Sequence, residues 1–469
     1  MKNQSMNVIV VITLLLIISA TLAYIFIFRK PAAQRPLPPM SEVKHVDWSK
    51  NASIYEVNIR QYTKEGTFKA FEKDLPRLKK LGVDILWIMP VNPIGIEKRK
   101  IPEGKTSSLG SYYSVRDYKA INPEFGNMDD FKHLVAAVHD LGLKIIIDWV
   151  PNHTSWDNNL LKVHPEYYLK DSTGKFVSPF DWTDVIRLDY KNPATCKYMI
   201  ETMQWWLKET DIDGFRCDVA HMIPTDFWNE LRPELEKVKP VFILAEADIP
   251  AQHLKGVDMS YDWKFHHIMN DIAKGKKSAN AVMRHFNWVD SVYPRNSYLM
   301  EFTSNHDENS WNGTEYERLG QGAQTFAVLA ATVPGMMLIY NGQEAAFNRR
   351  LKFFEKDSID WDSYKLTSFY QTLTSLKKQN KALWNGEDGG PLNRISSCRD
   401  SSVFIFTRQK DDNKVLVVCN LSAKSLQVKL KSDELAGNYN EVFTGTKQEF
   451  EKKATLSLKP WEYRVYEKL

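Results

Sequence analysis

The stretch Ile212–Asp218 reads Ile-Asp-Gly-Phe-Arg-Cys-Asp and combines an apolar strand pattern with a charge pair. Alternate side chains of a strand share a face, so Arg216 and Asp218 are expected to point the same way. An arginine beside an aspartate favours the ionised carboxylate that a nucleophile needs. A lone Arg-x-Asp pattern is more often a surface salt bridge, so a functional interpretation needs support from the rest of the chain.

Apolar strand-like segments alternate with helix-like segments on both sides of this stretch, with helices predicted at Phe68–Leu81 and near Met128–Leu141. Such strands indicate a parallel α/β sheet buried on both faces. Over roughly 330 residues this repetition predicts a (β/α)8 TIM barrel rather than an open doubly wound sheet. No glycine-rich phosphate loop follows the strands, which argues against a Rossmann-type fold. The predicted strands are Ile54–Tyr62, Ile85–Met89, Lys144–Val150, Ile212–Val219, Val241–Ala245, Tyr298–Thr303 and Met336–Tyr340.

Two further regions depart from the barrel pattern of residues 48–384. A long segment at about 153–188, rich in Pro, Asp and Trp, interrupts it after the third strand. Residues 385–469 alternate apolar and polar residues, which predicts a C-terminal antiparallel β-sandwich. Its predicted strands are Ser402–Thr407, Lys414–Asn420, Ser425–Leu430 and Glu462–Tyr466.

The N-terminal region predicts a membrane anchor. Val8–Phe28 is 21 residues without a charge, long enough to span a bilayer as a helix, so residues 1–30 are expected to anchor the chain. A cleaved secretory signal is the alternative, with a site at Thr21–Ala23. Residues 31–47 then form a proline-rich linker. The flanking charges do not decide the orientation, and we expect the barrel on the extracytoplasmic side, periplasmic or at the cell surface.

Composition excludes several classes of protein. The formal net charge of +4 is small and not clustered, so nothing indicates nucleic-acid binding. The four cysteines lack CxxC spacing, which excludes a thiol-based zinc site. Cys398 and Cys419 could form a disulfide in an oxidising compartment, and free thiols are the alternative.

Polar residues follow four of the strands, where an apolar barrel would not need them. Asp148–His153 follows the third strand, Asp218 the fourth, Glu246 the fifth and Asn305–Asp307 the seventh. In a barrel these ends share one face, where barrel enzymes place their active sites. Converging carboxylates repel one another, so at least one is expected to have a raised pKa and to donate a proton. Two carboxyl groups about 5 Å apart are typical of a retaining glycosidase.

These motifs closely resemble the four signatures of the α-amylase family of glycoside hydrolases, in order along the chain from about Trp48 to Leu469. The resemblance implies a β/α barrel, a small domain B after the third strand and a C-terminal sandwich. The four matching stretches are Asp148–His153, Gly214–His221, Phe242–Glu246 and Phe302–Asp307.

The resemblance also implies roles for single residues. Asp218 would be the nucleophile, and Arg216 would orient and ionise it. Glu246 would be the general acid and then the base, kept protonated by desolvation after four apolar residues. Asp307 would stabilise the transition state. The implied substrate-binding residues are Tyr113, which would stack on the sugar, together with Asp148, His153, Arg216, His221 and His306.

The chain departs from the family pattern in two places. Met222 stands where the family often has a histidine, and His221 comes one residue earlier. The usual domain B signature is replaced by Thr183–Asp189, which leaves linkage and chain-length preference open.

Many members bind a structural calcium through the asparagine that corresponds to Asn152, so the resemblance suggests a calcium site at this residue. A brace for its own loop is the alternative role of Asn152.

The expected function is retaining hydrolysis of α-1,4-glucosidic bonds in starch-like glucans or maltooligosaccharides. An α-glucosidase, a neopullulanase or a transglycosylase of the same family would use the same carboxylates. An alternative of another class is a non-catalytic, amylase-like membrane partner, whose layout would be similar but whose catalytic carboxylates would have decayed. Endo or exo action and the oligomeric state stay open.

Overall fold

The computed structural model describes residues 37–361 and 363–469. Eight parallel strands form a closed barrel in which each strand pairs with the next along the chain and the last pairs with the first. The predicted eight-fold barrel is therefore confirmed. We number the barrel strands β1 to β8, and their bounds are Ile54–Val57, Ile85–Ile88, Lys144–Trp149, Gly214–Cys217, Phe242–Ala245, Met259–Tyr261, Tyr298–Glu301 and Met336–Tyr340.

Two barrel strands differ from the prediction. β1 ends at Val57, and Ile59–Tyr62 forms a helical turn instead of continuing the strand. The main-chain N–H of Asn58 donates to Oδ1 of Asn341 at 2.7 Å, which turns the chain out of the sheet. The sequence does not predict β6, because its three residues are too few to show a period.

The helices lie between the strands, as predicted, with one exception in the first part of the chain. The single helix predicted at Phe68–Leu81 is divided between Glu72 and Leu75. Pro76 at the start of the second helix explains the break, because proline fits the first turn of a helix but not its interior. The helices are Ile59–Tyr62, Phe68–Glu72, Leu75–Leu81, Met128–Asp140, Asn159–Val163, Pro193–Thr210, Thr225–Glu236, Trp263–Ala273, Asn280–Val292, Glu315–Leu319, Ala323–Thr332 and Thr367–Gln379, with a π-helix at Glu308–Asn312.

The absence of a side chain at Gly214 lets β4 and β5 pack closely. A Cβ atom on Gly214 would lie 1.9 Å from the carbonyl oxygen of Phe242, so only glycine allows β4 to approach β5 this closely. The register of β3 and β4 places Asp148 beside Arg216. The polar residues at the ends of these strands therefore face the same small volume.

The segment inserted after β3 has a small sheet of its own. His153–Ser155 pairs antiparallel with Val185–Arg187, and the short helix Asn159–Val163 lies between them. The insertion stands above the strand ends, where it forms part of the wall of a cleft described below.

The predicted membrane anchor, Val8–Phe28, and the predicted linker up to residue 36 lie outside the described residues. The end of the predicted linker 31–47 is not free: from Pro39 the chain belongs to the same compact unit as the barrel, with Val43 and Val46 buried. Within residues 37–361 and 363–469, no helix is long and apolar enough to span a membrane. No described element supports the anchor, which stays a prediction.

The C-terminal region forms two antiparallel sheets, of six and two strands, as the sandwich prediction requires. Leu416 and Val418 of the larger sheet share one hydrophobic cluster with Val428 and Leu456 of the smaller. All four cysteines are free, so Cys398 and Cys419 form no disulfide. The strands are Leu392–Arg394, Val403–Lys410, Asn413–Asn420, Leu426–Lys431, Gly437–Glu441, Lys447–Phe450, Lys453–Leu458 and Tyr463–Lys468.

Arg408 joins the C-terminal sheet to the barrel, and the two form one compact unit over Pro39–Leu469. Its buried guanidinium donates to the carbonyl oxygens of Val333 at 2.9 Å and Thr332 at 3.2 Å, where a barrel helix ends. It also donates to the carbonyl of Gly390 at 2.8 Å. These bonds satisfy carbonyls that would otherwise be buried without a partner.

We expect Arg408→Met to lower the free energy of unfolding by about 3 kcal/mol, because several buried carbonyl groups lose their donor. Urea unfolding followed by circular dichroism measures the change. Arg399→Met, at an exposed arginine of the same domain, is the matched control and should have little effect. Equal stability of the two variants would contradict the structural role of Arg408.

Candidate active site

The carboxyl ends of the barrel strands open into a cleft of about 640 Å³. Asp218 follows β4, Glu246 follows β5 and Asp307 follows β7, and all three line this cleft. The structure therefore brings the three predicted catalytic carboxylates together. Other lining residues are Lys100, Ser111, Tyr113, His153, Asp181, Trp182, Asp184, Val185, Val219, His306, Trp311, Phe353 and Phe354.

A single buried guanidinium holds the centre of the site. Nη1 of Arg216 donates to Oδ1 of Asp148 and to Oδ1 of Asp218, both at 2.9 Å. Nη2 lies 2.8 Å from Oε2 of Glu246. Nε donates to the hydroxyl of Tyr261 at 3.1 Å. Arg216 thus orients Asp218 as predicted, and it does so while it also pairs with two further carboxylates.

One cation cannot keep three buried carboxylates ionised, and the pKa values show the result. Burial raises the pKa of Asp218 well above its ordinary value, although Arg216 opposes the shift and Glu246 adds to it. Partial burial likewise raises the pKa of Asp307, whose side chain is 36% exposed. Arg216 thus favours the ionised form of Asp218, as predicted, but desolvation acts in the opposite direction and is the larger effect in the substrate-free site.

Glu246 behaves in the opposite way to the prediction. Burial is the largest single effect and raises its pKa, but Arg216, the main-chain N–H of Val219, which donates to Oε2 at 2.8 Å, and the nearby histidines together outweigh it. The pKa of Glu246 is lowered as a result, which is the opposite direction to the one that desolvation alone would give. Val219 adopts a left-handed conformation, with φ of 47°, and this strained geometry directs its N–H at Glu246.

Asp148, predicted to bind substrate, is fully buried and lies behind the cleft. Its Oδ2 accepts from the hydroxyl of Tyr113 at 3.1 Å and from Nε1 of Trp87 at 3.2 Å. Burial raises its pKa to about 6, against the opposing effect of Arg216. Asp148 therefore supports Tyr113 and Arg216 instead of offering a free carboxylate to the cleft.

His306 is a second cation of the site. Its Nε2 lies 2.7 Å from the hydroxyl of Tyr113, and its Nδ1 lies 2.5 Å from Oε1 of the buried Glu56. Burial alone would lower the pKa of His306, but the nearby carboxylates of Asp307 and Glu56 have a larger combined effect and raise it to about 9. Sequence reasoning missed Glu56, although a carboxylate inside the apolar strand Ile54–Val57 is a signal that could have found it.

His153 is neutral, because burial lowers its pKa to about 4. The side-chain amide of Asn152 lies 3.2 Å from Nδ1 of His153 and donates to it, so the ring proton is on Nε2. His221, the remaining predicted sugar-binding residue, is exposed beside the cleft, with Nδ1 3.5 Å from the carbonyl oxygen of Glu246.

The surroundings of Asn152 give a calcium ion few ligands. The amide of Asn152 is directed at His153, and its main-chain carbonyl accepts from the N–H of Leu188 at 2.9 Å. In the part of the chain that the structure describes, no three Asp, Glu, His or Cys side chains cluster as a metal site. These residues do not fit a hard cation that requires six or more oxygens, and calcium dependence stays a prediction.

A closed parallel barrel with carboxylates around one arginine at its mouth is typical of glycoside hydrolases. A family described as "Alpha amylase, catalytic domain" matches residues 49–182 and 163–391. A second, described as "Maltogenic Amylase, C-terminal domain", matches residues 394–465. The chain belongs to the α-amylase family of glycoside hydrolases.

Individual relatives agree with this assignment. Alpha-amylase MalA of Haloarcula japonica is 26% identical over 424 residues, which cover 84% of this chain and 59% of that protein. The matched part of this chain therefore covers less than two thirds of the length of that relative. The crystal structure of a maltogenic α-amylase, AmyB from Thermotoga neapolitana, matches with a TM-score of 0.81 and 29% identity, covering 90% of this chain and 99% of that one. An α-amylase from Lactobacillus plantarum matches with a TM-score of 0.78 and 29% identity, covering 90% and 100%.

Glu56→Gln should lower the pKa of His306 from about 9 towards its ordinary 6.5, because it removes a carboxylate that stabilises the imidazolium. In the unaltered protein the stabilisation by the protonated ring is complete below pH 6.5 and is lost as pH rises through about 9. In the variant this loss should occur at lower pH. Carbon-13 NMR of labelled histidines measures the titration.

Glu72→Gln is the control, because Glu72 contacts the exposed His133 at 2.8 Å. It should leave the titration of His306 unchanged. A pKa of His306 that is the same with and without Glu56 would contradict the contribution of this carboxylate.

Proposed function

We propose that the chain is a retaining glycoside hydrolase that cleaves α-1,4-glucosidic bonds in starch-like glucans or maltooligosaccharides. The observation that supports this most strongly is that Asp218, Glu246 and Asp307 line one cleft around Arg216. The names of the relatives, which include α-amylases and a cyclomaltodextrinase, support an α-glucan as the substrate.

In the proposed mechanism Asp218 attacks the anomeric carbon while Glu246 gives its proton to the departing glycosidic oxygen. The carbon–oxygen bond breaks as the ester bond to Asp218 forms. Glu246, now ionised, then takes a proton from water, whose oxygen attacks the same carbon and releases Asp218. Two displacements retain the configuration at that carbon.

The side chains around the carboxylates would hold the sugar. The neutral His153 is a donor for hydroxyl groups, the imidazolium of His306 adds a positive charge beside them, and Tyr113 offers the face of its ring. Asp307 would accept hydroxyl protons and stabilise the positive charge that develops on the sugar ring.

The protons must redistribute before this chemistry begins. In the substrate-free site the raised pKa values belong to Asp218 and Asp307, whereas the mechanism needs the proton on Glu246. These groups interact closely and therefore titrate together instead of one by one. We propose that the bound sugar excludes water and loosens the contact of Glu246 with Arg216, so that the shared proton moves to Glu246.

A non-catalytic partner protein would have no use for this arrangement. Several carboxylates buried around one guanidinium repel one another and destabilise the fold, and a scaffold protein does not need them.

The related enzyme activities, α-glucosidase, neopullulanase and transglycosylase, use the same carboxylates. Product analysis on starch, pullulan and short maltodextrins separates them, and proton NMR of the first product should show the α-anomer.

Asp218→Asn should lower turnover by about a thousandfold or more, because the nucleophile is removed. Its thermal midpoint should not fall, since a neutral amide relieves repulsion among the carboxylates. Release of reducing sugar from maltooligosaccharides and a thermal scan measure the two effects. Asp226→Asn, at an exposed carboxylate on the neighbouring helix Thr225–Glu236, is the control. A variant at Asp218 that kept a tenth of the activity would exclude this residue as the nucleophile.

We also propose that residues 8–28 anchor the enzyme with its cleft outside the cytoplasm. The support is the uncharged run of 21 residues in the sequence. Extraction of membranes with alkaline carbonate should leave the full-length protein in the membrane fraction, and recovery in the supernatant would contradict the anchor.

A further inference from the structure

A row of aromatic rings continues from Tyr113 along one wall of the cleft. The ring of Phe353 is nearly parallel to that of Tyr113, at 14° with 6.4 Å between centroids. Trp311 lies 5.1 Å from Phe353 and 5.9 Å from Phe354. Exposure increases outward along the row, from 9% for Tyr113 to 51% for Trp311. The outer rings thus leave apolar surface in water that a ligand would cover.

The position of Trp311 is fixed by the surrounding structure. It belongs to the π-helix Glu308–Asn312, which begins directly after Asp307. Such short π-helical turns occur frequently at functional sites. Glu308 holds the turn, since its carboxylate accepts from Asn312 at 2.8 Å and lies 3.1 Å from Nε2 of His266.

The same turn is tied to the loop that carries Phe353 and Phe354. Oδ1 of Asn309 accepts from the main-chain N–H of Leu351 at 2.9 Å, and its Nδ2 donates to the carbonyl of Arg349 at 3.2 Å. The segments that follow β7 and β8 therefore form one connected surface.

The order of strands around the barrel indicates which part of a substrate this surface meets. Asp307 and Trp311 follow β7, and Phe353 and Phe354 follow β8. Asp218 and Glu246 follow β4 and β5. In the proposed mechanism Glu246 protonates the departing oxygen, so the leaving group lies beside Glu246, at the end of β5. The aromatic row then lies beside the part of the substrate that stays attached to Asp218.

We infer that Trp311, with Phe353 and Phe354, forms a platform that binds glucosyl units preceding the cleaved bond. Aromatic faces pack against the C–H faces of sugar rings and leave the hydroxyl groups at the ring edges in water. The inference rests on the proposed function and specifies which substrates the enzyme prefers. The preferred substrate is an α-glucan chain longer than a disaccharide. The platform binds the glucosyl units on the part of the chain that becomes covalently attached to Asp218.

The test uses 4-nitrophenyl α-glycosides with one to four glucosyl units and the full-length protein. Release of nitrophenol reports cleavage at the aryl bond alone, so only the length on the retained side varies. For the longest substrate Trp311→Ala should lower kcat/KM about tenfold. The loss should lie in KM with kcat nearly unchanged, because stacking is the same in the ground state and the transition state.

The one-unit substrate does not reach the platform and should be cleaved equally by both proteins. Trp311→Phe should restore most of the efficiency on long substrates. Tyr364→Ala removes an exposed aromatic ring that packs on Trp361, away from the cleft, and should have no effect. An equal loss at every length would mean that Trp311 only positions Asp307, and no loss at any length would mean that it binds nothing; either result overturns the inference.

A binding measurement separates this inference from the proposed activity. Calorimetry with maltoheptaose and the inactive Asp218→Asn protein should give a Kd about tenfold higher when Trp311→Ala is added. An unchanged Kd overturns the platform. Binding that depends on Trp311 in a protein that cleaves no α-glucan would support the platform and overturn the proposed hydrolysis.

Discussion

The guanidinium of Arg216 is the interaction on which the rest of the site depends. It contacts Asp148, Asp218 and Glu246, which come from three neighbouring strands. These contacts require β4 to lie against β5 without a side chain between them, as Gly214 allows. Because one positive charge faces several buried carboxylates, protonation of part of the cluster follows from its composition.

His306 supplies the second positive charge, and Glu56 secures it. Hydrogen bonds continue from Glu56 through His306 and Tyr113 to Asp148, and from there to Arg216. The two cations are therefore linked through the neutral Tyr113, in the loop after β2, and the carboxyl group of Asp148 on β3. Buried networks of this kind hold side chains in one arrangement as long as each member keeps its partner. Tyr113, Asp148, Arg216 and His306 thus have hydrogen-bonded partners before any sugar binds, which is the preorganisation that electrostatic catalysis requires.

The sequence alone predicts the barrel, because apolar runs that suit buried parallel strands alternate with amphipathic helices. It does not predict β6, since Met259–Tyr261 is too short to show one. It correctly brings Asp218, Glu246 and Asp307 to one face, because the ends of parallel strands share an edge. It does not show what lowers the pKa of Glu246, because this depends first on the contact with Arg216 and then on an N–H direction set by the unusual backbone of Val219. The sequence also does not predict that Trp311 lines the cleft, because the position of this residue depends on a π-helical turn.

The pairing of β1 with β8 determines when the catalytic face can exist at all. Glu56 near the start of the barrel supports His306, and Phe353 follows the last strand, so about three hundred residues must be in place before these groups meet. A chain emerging from the ribosome carries the acidic side chains long before they are assembled, and closure of the ring is a late, long-range event. Until the ring closes, the carboxylates remain in water with ordinary acidity, and the polypeptide has no means of attacking a glycosidic bond.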